Sequence, residues 1–88
     1  MKASMNLIQS PKADKGYKKL SSKIQKKADK QFDCLLINYR HPSLRTRKME
    51  RNVFEGRIDY LYRFTFIIEN ETIYILTIGP HDEGLGKK

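Results

Sequence analysis

The chain has 88 residues, with 18 Lys plus Arg against 10 Asp plus Glu, a formal net charge of +8 and a pI near 9.8. That length fits one domain, residues 1–88, with a single small core. The positive balance points to polyanionic or acidic partners. A lone cysteine, Cys34, excludes an internal disulfide, and one Cys with two His argues against a structural zinc site. No apolar run nears the roughly 20 residues that span a bilayer, and no signal-peptide pattern opens the chain, so the expected compartment is the cytoplasm.

Residues 3–9 can form a short strand. Ser10-Pro11 then marks a helix start, because Ser caps free N–H groups and Pro at the first helical position loses no bond. A helix from Pro11 to about Leu20 puts Ala13, Tyr17 and Leu20 on one face and Lys12, Lys15, Lys18 and Lys19 largely elsewhere. Ser22 and Gln25 have capping-box spacing for a second helix. Its apolar stripe runs Ile24, Ala28, Phe32, Leu35 and Tyr39, and His41-Pro42 stops it near Arg40. Two amphipathic helices with a short joint read as a helical hairpin. Residues 41–52 read as an irregular basic connector in which Arg45, Arg47, Lys48 and Arg51 face only Glu50. That density favours phosphate contact over a merely solvated loop.

Three strands follow. Phe54 and Ile58 share one face of the first, opposite Glu55, Arg57 and Asp59. Phe64, Phe66 and Ile68 share one face of the second. A two-residue turn at Asn70-Glu71 pairs Ile68 with Ile73 and Phe66 with Ile75, giving one dense apolar face. The opposite face would carry Arg63, Thr65, Ile67, Tyr74 and Leu76. A three-residue turn, Asp59-Tyr60-Leu61, sets Arg57 opposite Arg63. Like charges in register repel by a few tenths of a kcal/mol or more, unless an anion sits between them. The overall expectation is an α+β fold, an N-terminal helical hairpin packed on one face of a small twisted antiparallel sheet.

No phosphate-binding loop, dinucleotide fingerprint or zinc-protease helix is present. The informative feature is convergence: Arg57, Arg63 and His81 come from three strands or strand ends of one sheet. Arg holds phosphate oxygens in a planar fork, and His moves protons near neutral pH. Cleavage of RNA by its own 2′-OH needs both kinds of group. Glu55 is a weaker candidate base. The alternative for Arg63 is an ion pair with Glu55 or Glu69 on an exposed face, and for His81 a hydrogen-bonding role at a strand end.

The segment His41-Pro42-Ser43-Leu44-Arg45, the Phe54-Glu55-Gly56-Arg57 strand, Tyr62-Arg63-Phe64-Thr65-Phe66, and Thr72–Leu76 running to Ile78-Gly79-Pro80-His81-Asp82 resemble the RelE/ParE toxin superfamily. The resemblance implies two helices on a small antiparallel sheet and a toxin of a type II toxin–antitoxin system. Its RelE-like branch cleaves mRNA on the ribosome. On that basis Arg63, His81 and Arg57 are the expected catalytic residues; the basic density of the connector makes Arg45, Arg47 and Lys48 the candidates for holding flanking phosphates. No metal and no cofactor is implied, and no membrane. The partners implied are a cognate antitoxin, the ribosome and mRNA. The alternative is a ParE-like DNA gyrase inhibitor, or an inert member acting by protein contact. Many RelE-like toxins carry a functional Tyr shortly after the equivalent of His81; here Leu85 follows His81-Asp82-Glu83-Gly84.

Overall fold

The computed structural model describes residues 5–80. The chain runs β1 (Asn6–Gln9), α1 (Pro11–Lys18), α2 (Ser22–Ile37), a 3₁₀ turn (Pro42–Leu44), β2 (Arg47–Glu50), β3 (Val53–Arg57), β4 (Tyr62–Glu69) and β5 (Thr72–Pro80). The strands form one five-stranded sheet in the order β1-β5-β4-β3-β2. All neighbours are antiparallel except β1, which lies parallel to β5. The helical-hairpin-on-sheet architecture thus holds, with an added parallel edge strand. No helix among the described residues is long and apolar enough to cross a membrane.

The β3–β4 and β4–β5 hairpins set the core. Phe66 pairs with Ile75 and Ile68 with Ile73, as expected from the Asn70-Glu71 turn. Both turn residues have positive φ, 52° and 63°, the geometry of the hairpin turn whose twist matches the strands. Phe64, Phe66, Ile73 and Ile75 are fully buried, and Ile68 packs against them half-buried. The helices and the joint between them supply the facing layer through Ala13, Leu20, Ala28, Phe32 and Leu35. The Phe32 ring meets Phe64 edge-on at 5.1 Å. Gly56 pairs with Phe64, whose ring lies over it; a methyl there would sit 2.4 Å from the ring.

Four local expectations need correction. Residues 47–50 are an edge strand rather than part of an irregular connector: Arg47 pairs with Glu55 and Lys48 with Phe54. The cap of α2 is Ser21, whose hydroxyl accepts from the Ile24 N–H at 3.3 Å. Gln25 instead reaches back to donate to the Tyr17 carbonyl, tying the two helices together. That helix ends at Ile37, short of Arg40, because the Asn38 side chain accepts the Arg40 N–H and folds the chain into a turn. Finally, the β4–β5 register shifts between Thr65 and Phe66, whose partners are Thr77 and Ile75. This bulge at Leu76 resets the alternation expected for β5. Ile78 pairs with Phe64 and enters the core, and Thr77 lies beside Thr65 on the opposite face.

Sequence and packing explain where the bulge lies. β1 covers the edge of β5 only at residues 72–75. The chain then leaves the sheet through Ser10, whose N–H donates to the Ile75 carbonyl and whose hydroxyl donates to the Leu76 carbonyl. The same hydroxyl accepts the Ala13 N–H and caps α1. So α1 takes over from β1 along β5. Gly16 seats it, because its Cα has no side chain to meet the Ile78 carbonyl.

Candidate functional site

The face of the sheet opposite the aromatic core is polar. On it β2, β3, β4 and β5 place Arg47, Glu55, Thr65 and Thr77 in one cross-strand row. Next to this row, Arg57 pairs with Arg63 and Arg63 with Gly79. The three-residue turn produces the arginine pairing expected from the sequence.

Several contacts fix these groups. Arg47 Nε donates to Glu55 Oε1 at 3.2 Å; the Glu55 side chain is only 8% exposed and that of Arg47 66%. The Thr65 and Thr77 hydroxyls are hydrogen-bonded at 2.6 Å. Arg63 Nη1 donates to the carbonyls of Asp59 at 2.6 Å and Tyr62 at 3.2 Å. Thus one edge of the Arg63 fork is tied to the turn. No ion pair to Glu55 or Glu69 forms, in contrast to the exposed-face alternative.

The turn is itself braced. The Asp59 carboxylate accepts the N–H groups of Leu61 and Tyr62 and pairs with Lys27 of α2 at 3.5 Å. Burial alone would raise the Asp59 pKa. The two backbone N–H groups and Lys27 outweigh it and hold the carboxyl below its ordinary value. Burial lowers the Arg63 pKa, with Arg57 and Arg47 acting in the same sense and Glu55 and Asp59 opposing. An arginine still carries its charge at neutral pH under such a shift. Arg63 is therefore a guanidinium held in a positive field with part of its fork uncommitted.

Arg57 is held differently. Its carbonyl accepts a 2.7 Å bond from Gln31 of α2, which fixes the backbone, while its Nε is buried with no hydrogen-bond partner among the described residues. An unsatisfied buried donor costs on the order of 1–3 kcal/mol.

A cleft of about 890 Å³ opens over this face. Arg63, Glu55, Thr65, Thr77 and Tyr62 line it, with Met49 and Glu50 of β2 on one side and Lys12, Lys15 and Lys19 on the other. Arg57 is outside this lining, although it stands opposite Arg63 in register. Of the expected phosphate contacts, Arg47 reaches Glu55. Lys48 sits one register position away, opposite Phe54, so it belongs to the other face of its strand. Arg45 follows the 3₁₀ turn in a left-handed conformation, φ 48°, and is exposed. The structure therefore separates Arg45 and Lys48 from Arg47. His81 lies outside the described residues; the chain reaches it from Pro80, the partner of Tyr62. Among the described residues no group of three or more His, Cys, Asp or Glu could hold a metal.

Two features of the site were not read from the sequence. One is the Thr65–Thr77 pair, hidden by the bulge. The other is the lysine wall of α1. Its signal was present, because positions 12, 15 and 19 follow helical spacing, but no sequence pattern places that stripe over the sheet.

These features define a small α+β protein with a positively charged cleft suited to a polyanion. Similar folds occur among solved structures. The archaeal RelE–RelB complex from Pyrococcus horikoshii matches with a TM-score of 0.78 at 15% identity, covering 92% of this chain and 99% of that one. The isolated E. coli RelE toxin gives 0.70 at 16% identity, covering 86% and 83%. A YoeB–YefM toxin–antitoxin complex from Staphylococcus aureus gives 0.67 at 21% identity, covering 90% and 99%. The chain has the RelE/YoeB toxin fold. No protein-family model matches the sequence, and no curated protein matches it.

Proposed function

We propose that this protein is the toxin of a type II toxin–antitoxin system and acts as a ribosome-dependent endoribonuclease on mRNA. The observation that carries this reading is the Arg57–Arg63 pair: two guanidiniums in register on adjacent strands, neither in an ion pair with a carboxylate among the described residues. The fold shared with RelE and YoeB toxins supports the same reading.

In this reading the scissile phosphate sits against Arg63, with Arg57 beside it. The substrate's 2′-oxygen attacks phosphorus, the bond to the 5′-oxygen breaks, and a cyclic 2′,3′-phosphate remains. The guanidiniums stabilise the charge that builds on the phosphorane oxygens. Glu55 is the only cleft carboxylate in the Thr65–Thr77 row, so it is the residue here able to accept the 2′-OH proton, although Arg47 competes for it. His81, one residue beyond β5, is assigned to protonate the leaving 5′-oxygen. Arg47 takes a neighbouring phosphate; Arg45 and Lys48, from their separate positions, contribute attraction to the ribosome rather than grip in the cleft.

An acidic or amphipathic antitoxin segment is the expected partner; the solved structures that share this fold include toxin–antitoxin complexes. Induced expression in a bacterial host tests the proposal. Growth should stop, and primer extension should find new 5′ ends within coding sequence. Growth arrest with intact message and accumulated gyrase-cleaved DNA would instead favour gyrase inhibition.

A further inference from the structure

The cleft has a positive wall that the proposed chemistry does not use. Lys12, Lys15 and Lys19 are spaced i, i+3 and i+7, one stripe along α1 and its cap, and all three line the cleft that holds Arg63. At 1.5 Å per residue the stripe spans about 10 Å, longer than a single phosphate group. Its position follows from packing. Ala13 and Leu20 turn into the core, and Gly16 lets the helix lie against the Ile78 carbonyl, which leaves the lysines beside the open face of β5.

Among the described residues nothing neutralises the charge on this stripe. The one ion pair of α1 joins Asp14 to Lys18, which is outside the cleft lining; none of Lys12, Lys15 or Lys19 has a carboxylate partner among the described residues. The two carboxylates lining the cleft are Glu50 and Glu55, and Glu55 is bound to Arg47.

We infer that Lys12, Lys15 and Lys19 form the second wall of a groove for single-stranded RNA and grip phosphates flanking the one at Arg63. The naming of RNA rests on the function proposed above. A positive wall tracking a backbone is how single strands are commonly held, and three cations spread over about 10 Å across the cleft from Arg63 suit successive phosphates. An acidic peptide would satisfy the lysines equally, but would leave the paired Thr65–Thr77 hydroxyls without a sugar to contact.

The test replaces all three by Gln, an exchange that keeps good helix formers in α1. A control triple variant replaces Lys23, Lys26 and Lys30, exposed residues of α2 outside the cleft lining. Binding of a fluorescent single-stranded RNA is followed by anisotropy against salt, without ribosomes. Each lost phosphate contact should reduce the salt slope by about 0.7, so the α1 variant should lose roughly two units of slope and bind on the order of tenfold more weakly at low salt. The α2 variant should keep most of both. Equal losses in the two variants, or no RNA binding by the wild-type protein, overturn the inference. So does binding of polyglutamate but not RNA with the same lysine dependence, which would assign the groove to an acidic protein. If the α1-specific loss is found but the wild-type protein leaves mRNA intact on ribosomes, the groove stands and the catalytic reading falls.

Discussion

Replacing Gly16 by Ala tests how α1 is seated, and with it the cleft wall. A methyl built at Gly16 lies 2.1 Å from the Ile78 carbonyl oxygen, 3.0 Å from its carbon and 3.2 Å from the Ile78 Cβ. The closest neighbour is backbone, so no side chain can rotate out of the way. Helix or strand must move by about an ångström, and overpacking of that kind costs about 1–3 kcal/mol. Ala is favoured over Gly within a helix by about 1 kcal/mol, which offsets part of the strain. We expect a net loss of about 1–2 kcal/mol. In a domain of this size each kcal/mol moves Tm by roughly 4–8 °C, so thermal melts followed by circular dichroism should show a fall of about 5–15 °C. An unchanged or raised Tm would mean that helix propensity decides the outcome, and that α1 does not lie on β5 as described.

Two further outcomes follow from the charged groups. Asp59→Ala removes the carboxylate that caps the N–H groups of Leu61 and Tyr62, a loss of about 1–3 kcal/mol. Its pKa is lowered in the folded state, so its contribution is full above the unfolded value of about 3.9 and fades as pH falls through the folded one. The Tm gap between wild type and variant should therefore narrow in melts taken from pH 7 down to pH 3; a constant gap would show that the charge of Asp59 does not matter. Association with an acidic antitoxin segment should slow on the order of tenfold or more in stopped-flow mixing as salt rises. The screening length falls from about 10 Å at 0.1 M to about 3 Å at 1 M, and a salt-independent on-rate would contradict electrostatic steering.

The parts of the fold legible in the sequence were those with local signals. Alternation in residues 64–68 and 73–75, joined by a two-residue turn, identified the core face and its register. The three residues 59–61 implied that Arg57 would face Arg63. β2 was not legible because all four of its residues, Arg47–Glu50, are exposed, so no alternation marks it. The bulge at Leu76 was hidden for a different reason. It is stabilised from outside the hairpin by the Ser10 hydroxyl, 66 residues away in sequence. The candidate site divides along the same line. Arg63 and Arg57 were visible because strand register positions them, whereas the cleft role of Lys12, Lys15 and Lys19 depends on where a helix docks. Arg45 and Lys48 were grouped with Arg47 by proximity in sequence, a grouping that a strand's two-sided geometry divides.

The most direct measurement adds purified protein to a translating extract programmed with a defined message and maps the new 5′ ends. Cuts are expected at codon-positioned sites and only with active ribosomes, with a loss of at least about 100-fold in rate for Arg63→Ala, on the scale of removing one oxyanion-stabilising donor. Intact message at saturating protein, or cutting equally fast with Arg63→Ala, would contradict it.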